Sequence, residues 1–85
     1  MITFEYKIKD EIGLHARPAG LLSKTARAWK SKVLIKKAGK EVDATKLMAL
    51  MSLGIKNGDV IDISILGEDE EEAAVAIKDF FEKNL

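Results

Sequence analysis

The length of 85 residues predicts one domain, residues 1–85, with a single modest core. Fourteen basic and fourteen acidic residues give a net charge of zero, which argues against general nucleic-acid binding because that requires a basic excess or stripe. The chain has no cysteine, one histidine and no apolar run of about 18 residues, so we expect no disulfide, no metal site and no membrane insertion, and a cytoplasmic location.

An alternating pattern begins at once, which predicts a strand with one buried and one wet face, so we expect no signal peptide. Its apolar residues are Ile2, Phe4, Tyr6 and Ile8, and its polar residues are Thr3, Glu5, Lys7 and Lys9. Residues 10–13 then form a predicted loop in which Gly13 provides a turn.

A helix is predicted from residue 16 to about residue 29, with Pro18 in its first turn, where a missing N–H costs no intrahelical bond. Apolar residues at three- and four-residue steps form the stripe expected to face the core, namely Ala19, Leu22, Ala26 and Trp29. The opposite side carries Arg17, Gly20, Leu21 and Lys24. Leu21 therefore lies on the wrong side for a simple core helix.

The next segment predicts a hairpin of two strands. Residues 33–35 are apolar and form the second strand, and Val42 lies in a short third strand. The turn between them is at residues 37–40, where Gly39 can adopt the positive φ that tight hairpin turns require.

A short helix is predicted from about residue 46 to residue 53. Either Asp43 or Thr45 can cap its start, and Gly54 is suited to end it. Apolar residues surround this helix on nearly all sides, with Leu47, Leu50 and Met51 on one face and Met48 on another.

The last part of the chain predicts a turn, a fourth strand and a third helix. Asn57 and Gly58 mark the turn. The strand alternates apolar and polar residues, namely Ile61, Asp62, Ile63, Ser64 and Ile65. The helix has a core stripe of Ala73, Ala76, Ile77, Phe80 and Phe81. Acidic residues 70–72 in its first turn and Lys83 in its last suit the helix dipole.

The predicted element order β-α-β-β-α-β-α indicates an α+β fold with two layers. Three helices that each bury one stripe would lie on one face of a four-stranded sheet. The other face should contact water, as is typical of an antiparallel sheet. Residues on that face would be Thr3, Glu5, Lys7, Lys36, Asp62 and Ser64.

His15 is the only histidine and lies directly before the predicted start of the first helix. Its imidazole is mostly neutral near pH 7 and can act as a nitrogen nucleophile. Free backbone N–H groups of Ala16 and Arg17 favour a phosphoryl anion at this helix start, and the Arg17 guanidinium matches phosphate oxygens. A lone histidine near a helix start is more often a surface or capping residue, so the hypothesis of a phosphate-carrying histidine depends on this conjunction.

A second hypothesis concerns apolar residues that the core does not require, namely Leu21, Leu47, Met48 and Met51. They would form an exposed platform beside His15 that docks partner proteins. Lys24 and Lys46 would attract acidic partners to this platform. The alternative is that Leu21 and Met48 fill gaps in the core, as methionine often does.

Two segments resemble the HPr family, the histidine phosphocarriers of the bacterial sugar phosphotransferase system. The first is Gly-Leu-His-Ala-Arg-Pro-Ala at residues 13–19, and the second is Met-Ala-Leu-Met-Ser-Leu-Gly at residues 48–54. Residues 57–58 and 67–70 fall at the family's turn and at the start of its last helix, so the resemblance covers essentially the whole chain. It implies an open-faced β-sandwich, in agreement with the predicted element order.

The resemblance also implies a function. Enzyme I, charged by phosphoenolpyruvate, would phosphorylate Nδ1 of His15, and the phosphoryl group would pass to IIA domains of sugar permeases. Arg17 would stabilise the phosphoryl group, and the partners would share a docking face of Gly20, Leu21, Lys24, Lys46, Leu47, Met48 and Met51. Such a protein is a stoichiometric carrier rather than an enzyme, and we expect a monomer without a cofactor.

Lys46 departs from the family pattern. Many HPr proteins of Gram-positive type carry at this position a regulatory serine that a kinase phosphorylates, and lysine cannot form a phosphoester. Thr45 and Ser52 lie nearby but do not occupy the matching position, so we expect the kinase switch to be absent. Two other hypotheses are open: an HPr paralogue in a regulatory relay, of the nitrogen-related or dihydroxyacetone kinase type, and a binding module without phosphate chemistry.

Overall fold

The alternating segments form four strands of one antiparallel sheet, and the apolar stripes form three helices packed on one of its faces. The computed structural model describes residues 1–85. In chain order the elements are β1 (Ile2–Lys7), α1 (Ala16–Arg27), β2 (Lys32–Lys37), β3 (Lys40–Asp43), α2 (Leu47–Ser52), β4 (Val60–Leu66) and α3 (Glu70–Asn84). The predicted α+β fold, its element order and its open-faced β-sandwich architecture are confirmed.

The sheet has the strand order β1-β4-β2-β3, so β4 is an internal strand paired with both β1 and β2. Its inward residues Ile61, Ile63 and Ile65 are fully buried, because β-branched side chains pack well between a sheet and the helices that cover it. The opposite face is wet, as predicted. Asp62 and Ser64 on that face are half-buried rather than exposed, because neighbouring strands flank them on both sides.

One core of 18 buried apolar residues lies between the sheet and the helices. Both predicted helix stripes contribute to it, with Ala19, Leu22 and Ala26 from α1 and Ala73, Ile77 and Phe81 from α3. The Phe81 ring lies 5.3 Å from the Tyr6 ring, and the Tyr6 hydroxyl donates to the Phe81 carbonyl at 3.0 Å, which joins α3 to β1. Burying a side chain of this size contributes about 1.5–3 kcal/mol to folding. None of the helices is long and apolar enough to span a membrane.

Helix α1 ends at Arg27, earlier than the predicted end near Trp29. The Trp29 N–H donates to the Ala26 carbonyl at 3.4 Å, an i to i−3 bond that tightens the chain as the helix ends. Beyond the helix, the Asp69 carboxylate accepts hydrogen bonds from the Ser31 N–H at 2.8 Å and from the Ser31 hydroxyl at 2.5 Å. Trp29 is still half-buried against the core, so the predicted stripe is confirmed although the helix is shorter.

Helix α2 has six residues and begins at Leu47, and neither predicted cap is correct. Lys46 occupies the N-cap position, and its side chain makes no capping hydrogen bond. The Asp43 carboxylate instead accepts hydrogen bonds from the Thr45 N–H at 2.9 Å and from the Thr45 hydroxyl at 2.7 Å. The two predicted caps therefore bond to each other and form the turn that leads into the helix.

The segment between β1 and α1 is held by the segment between α2 and β4. The Ile8 N–H donates to the Asp59 carbonyl at 2.9 Å, and the Leu14 N–H donates to the Ile55 carbonyl at 3.0 Å. Gly13 has a φ of +85°, and a Cβ at this position would lie 2.6 Å from the Ile55 carbonyl oxygen. Glycine is required here because both the backbone conformation and the space exclude a side chain.

Gly13→Ala should lower the free energy of unfolding by about 2 kcal/mol or more, because positive φ strains alanine and the added methyl group displaces the Ile55 backbone. Gly20→Ala is the control, since Gly20 lies inside α1 and no atom lies within 4 Å of an added Cβ. It should raise stability by up to about 1 kcal/mol. Urea unfolding followed by circular dichroism measures both changes, and equal stability of Gly13→Ala and the wild type would contradict this account of the contact.

Candidate functional site

His15 occupies the N-cap position of α1, immediately before the first helical residue. Its backbone is extended, with a φ of −94° and a ψ of −174°. The His15 N–H donates to the Gly13 carbonyl at 3.1 Å, and the His15 carbonyl accepts from the Ala19 N–H at 3.0 Å. The imidazole makes no capping hydrogen bond, so a firmly held backbone carries a side chain that is free to react.

The first turn of α1 offers free N–H groups beside His15. Neither Ala16 nor Arg17 donates its backbone N–H within the chain, and Pro18 has none to donate. No acidic residue lies in this turn. The helix N-terminus therefore presents donors and a partial positive charge without a competing carboxylate, an arrangement suited to a phosphoryl group.

His15 lines an open surface depression of about 340 Å³. The other residues that line it are Ile12, Arg17, Pro18, Leu21 and Asn84. Arg17 is exposed and forms no salt bridge, so its guanidinium is available to an anion. The imidazole is half-buried, and it can be reached from solvent through the depression.

Two residues that line this depression, Ile12 and Asn84, were not predicted to belong to the site. Ile12 is 69% exposed. Its apolar side chain in a predicted loop is the sequence feature that could have identified it. Asn84 is the last residue of α3, and its amide donates to the Phe80 carbonyl at 3.0 Å. No sequence pattern relates Asn84 to the start of α1, because only the packing of α3 brings them together.

The predicted platform is exposed. Met48 is 77% exposed, which excludes the alternative that it fills a gap in the core. The other platform residues are Leu21 at 47%, Leu47 at 37% and Met51 at 38% exposure. Leu50 on the same short helix is fully buried and holds α2 against the core. Of the platform residues, Leu21 also lines the His15 depression.

Basic side chains accompany the platform. Lys24 and Lys46 are exposed and form no salt bridge, as the docking hypothesis requires. Arg27 is a further cation that was not predicted, and its guanidinium donates to the Thr45 carbonyl at 3.3 Å, just before α2. Gly20 is half-buried with open space beside it. The exposed side chains of Lys24, Arg27 and Lys46 are therefore all cationic, although the net charge of the chain is zero.

Asp43 is an acidic group in the turn before α2. Burial raises its pKa, but hydrogen bonds from Thr45 lower it. The charges of Lys32 and Lys46 lower it in addition, so the pKa of Asp43 lies below its ordinary value. Its carboxylate is therefore ionised at neutral pH and attracts the Lys46 ammonium group.

Residues 2–83 match the family model described as the PTS HPr component phosphorylation site, where PTS denotes the phosphotransferase system. This chain belongs to the HPr family. The phosphocarrier protein HPr of Mycoplasma genitalium is 46% identical over 85 residues, which cover 99% of this chain and 97% of that protein. The HPr-like protein Crh of Halalkalibacterium halodurans is 41% identical over 83 residues, which cover 98% of this chain and 99% of that protein.

Solved HPr structures share the fold. HPr-C-His of Thermoanaerobacter tengcongensis superposes with a TM-score of 0.93 at 42% identity, covering 98% of this chain and 93% of that one. An HPr dimer from the same organism superposes with a TM-score of 0.78 at 44% identity, covering 92% of this chain and 90% of that one. The predicted family is confirmed, and at the level of the family the protein is a phosphocarrier of the bacterial phosphotransferase system, not a catalyst.

Met48→Ser should change the free energy of unfolding by less than about 0.5 kcal/mol, because the side chain is exposed and has few contacts to lose. Leu50→Ala, on the same helix, should cost about 2–5 kcal/mol because it leaves a cavity in the core. Thermal unfolding of the two variants measures the difference. A loss of stability in Met48→Ser as large as that in Leu50→Ala would show that Met48 belongs to the core.

Proposed function

We propose that this protein accepts a phosphoryl group on Nδ1 of His15 from phosphorylated Enzyme I and passes it to IIA domains of sugar permeases. The observation that supports this most directly is the free imidazole at the N-terminus of a 12-residue helix. The unpaired N–H groups of Ala16 and Arg17 and the exposed Arg17 guanidinium lie beside it. In this role the protein is a stoichiometric carrier that needs no cofactor.

The chemistry of the transfer follows from these groups. The neutral imidazole of His15 attacks phosphorus with a nitrogen lone pair, and the bond between phosphorus and the donor atom of Enzyme I breaks. Charge on the phosphoryl oxygens in the transition state is stabilised by Arg17 and by the helix N–H groups. Because these contacts lie at the surface, the group stays accessible to the next acceptor.

Partners of both kinds are proposed to dock on the platform and its basic border. Met48 and Leu21 offer exposed apolar area that a partner can cover. Lys24 and Lys46 favour partner surfaces that carry acidic residues and speed association with them. A cytoplasmic monomer suits this role, because self-association through the platform would cover the docking face.

An HPr paralogue that serves a regulatory relay is the second candidate function. The observation behind it is the 41% identity to an HPr-like protein Crh, which is lower than the 46% identity to the phosphocarrier HPr of Mycoplasma genitalium. Such a protein keeps phosphoryl chemistry at His15 but delivers the group to different acceptors. Transfer from phosphorylated His15 to a panel of sugar-specific IIA proteins separates the two, since the first proposal expects transfer and the second expects none.

Incubation with phosphoenolpyruvate and Enzyme I should attach an acid-labile, base-stable phosphoryl group to His15, and His15→Ala should stay unlabelled. Arg17→Ala should slow labelling by about 10²-fold or more, because a charged donor to the transition state is lost. Lys30→Ala is the control, since Lys30 is an exposed cation beyond the end of α1 that pairs with Glu68 at 3.6 Å. Lys30→Ala should be labelled at the wild-type rate. Transfer of radioactive phosphate from phosphoenolpyruvate measures the rate for each variant.

Equal labelling of His15→Ala and the wild type would overturn the proposed acceptor. Unchanged partner binding and function in His15→Ala would instead support a binding module without phosphate chemistry. A wild-type labelling rate in Arg17→Ala would remove Arg17 from the proposed site and leave the helix N–H groups as the stabilising donors.

Treatment with an HPr kinase and ATP should leave the wild type unlabelled, because Lys46 carries no hydroxyl at the position of the family's regulatory serine. Lys46→Ser should accept a phosphoryl group there, which adds about −1.5 to −2 charges at the start of α2. Thr45 is a poor substitute, because its hydroxyl donates to the ionised Asp43 carboxylate at 2.7 Å and a phosphate would face a like charge. Mass spectrometry locates any label, and phosphorylation of Thr45 or Ser52 in the wild type would show that the switch has moved.

A further inference from the structure

The loop between α2 and β4, residues 54–59, supports the segment that leads into α1, and we call it the support loop. Its Gly58 N–H donates to the Ile8 carbonyl at 2.8 Å. Its Asn57 amide donates to the Lys9 carbonyl at 3.1 Å. These bonds add to those that hold the residues directly before α1, so the position of that segment depends on the shape of the support loop.

Lys37, the last residue of β2, joins the two ends of the support loop. Strand alternation places its side chain on the helix side of the sheet, together with that of Ile35. Its ammonium group donates to the Gly54 carbonyl at 2.6 Å and lies 2.7 Å from the Asp59 carboxylate. One cation therefore bridges the first and last residues of a loop that contains no helix or strand.

The bridge is a charged pair partly shielded from water. The side chains of Lys37 and Asp59 are 23% and 31% exposed. The hydrogen bond from Lys37, followed by one from the Lys56 N–H, holds the pKa of Asp59 below its ordinary value. Partial burial weakens screening by salt, so this pair constrains the loop more than a fully exposed pair would.

We infer that Lys37 is a positioning residue for phosphoryl transfer at His15 and acts through the support loop. The Ile55 carbonyl, inside that loop, accepts the hydrogen bond from the Leu14 N–H at 3.0 Å, and Leu14 directly precedes His15. A displaced loop therefore displaces the imidazole relative to Arg17 and the helix N–H groups. The inference rests on the function proposed above, and Lys37 acts through other residues rather than as a phosphate contact.

Hydrogen exchange tests the structural half of the inference without any partner. Lys37→Met keeps an apolar side chain of similar length but removes the ammonium group that contacts Gly54 and Asp59. The Leu14 amide should therefore exchange about five- to tenfold faster than in the wild type. Lys40→Met is the matched control, since Lys40 lies on the same hairpin and its ammonium group donates to the Ser52 hydroxyl at 3.2 Å. Exchange at Leu14 should be unchanged there, and Lys37→Arg should restore protection because a guanidinium can contact both acceptors.

Phosphoryl transfer tests the functional half. With Enzyme I as donor, Lys37→Met should lower kcat about tenfold and leave KM unchanged, because the docking residues are untouched while the imidazole is misplaced. General loss of stability would not produce this split, and Lys37→Arg should return kcat to the wild-type value. Asp59→Asn keeps the shape of its side chain and should reproduce the loss, which serves as the test where Lys37→Met folds poorly.

Unchanged exchange at Leu14 in folded Lys37→Met would overturn the inference, and so would faster exchange with an unchanged kcat. An equal change in exchange or kcat in Lys40→Met would also overturn the inference. The loss of any positive charge from the hairpin would then explain the change, without the contacts of Lys37. Failure of Enzyme I to phosphorylate the wild type would overturn the proposed function and the transfer role with it. The exchange measurement would then still decide whether Lys37 holds the segment before His15.

Discussion

Gly13 lies with its Cα against the backbone of Ile55 and Lys56, so close that a Cβ would stand 2.6 Å from a carbonyl oxygen. This contact, together with the hydrogen bond from Leu14, fixes the point at which the chain leaves the loop and begins α1. His15 is the residue at that point. The position of the imidazole is therefore set by backbone packing between two loops that are distant in sequence, and its nitrogen atoms need no bonds to the protein to hold it there.

The apolar residues fall into two groups, those buried in the core and those exposed on the proposed docking face. The inward isoleucines of β4 and Phe81 of α3 are buried and stabilise the fold. Met48 contributes little to folding because 77% of its surface stays in water, and Leu21 contributes only part of what a buried leucine would because 47% of its surface stays in water. Under the proposed function a partner covers them, and the unpaired cations Lys24 and Lys46 favour an acidic partner. A chain without net charge can carry this positive face because acidic residues gather elsewhere, as at the start of α3.

Periodicity is a local property of the sequence, and it predicts the longer strands and helices here because these elements bury one regular face, as β4 does. The centre of the candidate site is contiguous in sequence, so it too could be predicted. The segment that follows α1 is held instead by a contact distant in sequence, the hydrogen bond from the Ser31 N–H to the Asp69 carboxylate, which no local pattern predicts. The cap of α2 was wrongly predicted because Asp43 and Thr45 both suit the role and bond to each other. Asn84 reaches the depression only through the packing of α3.

Lys46 places a cation at the N-cap position of α2, where the helix dipole disfavours positive charge. The Asp43 carboxylate in the preceding turn offsets this cost, and the Lys46 charge is among the causes that lower the pKa of Asp43. The turn before α2 is therefore electrostatically matched to a lysine. A phosphoserine in its place would bring about −1.5 to −2 charges next to that carboxylate. Under the proposed function Lys46 thus gives the docking face a constant positive charge at the start of α2, where a phosphorylatable serine would make the charge variable.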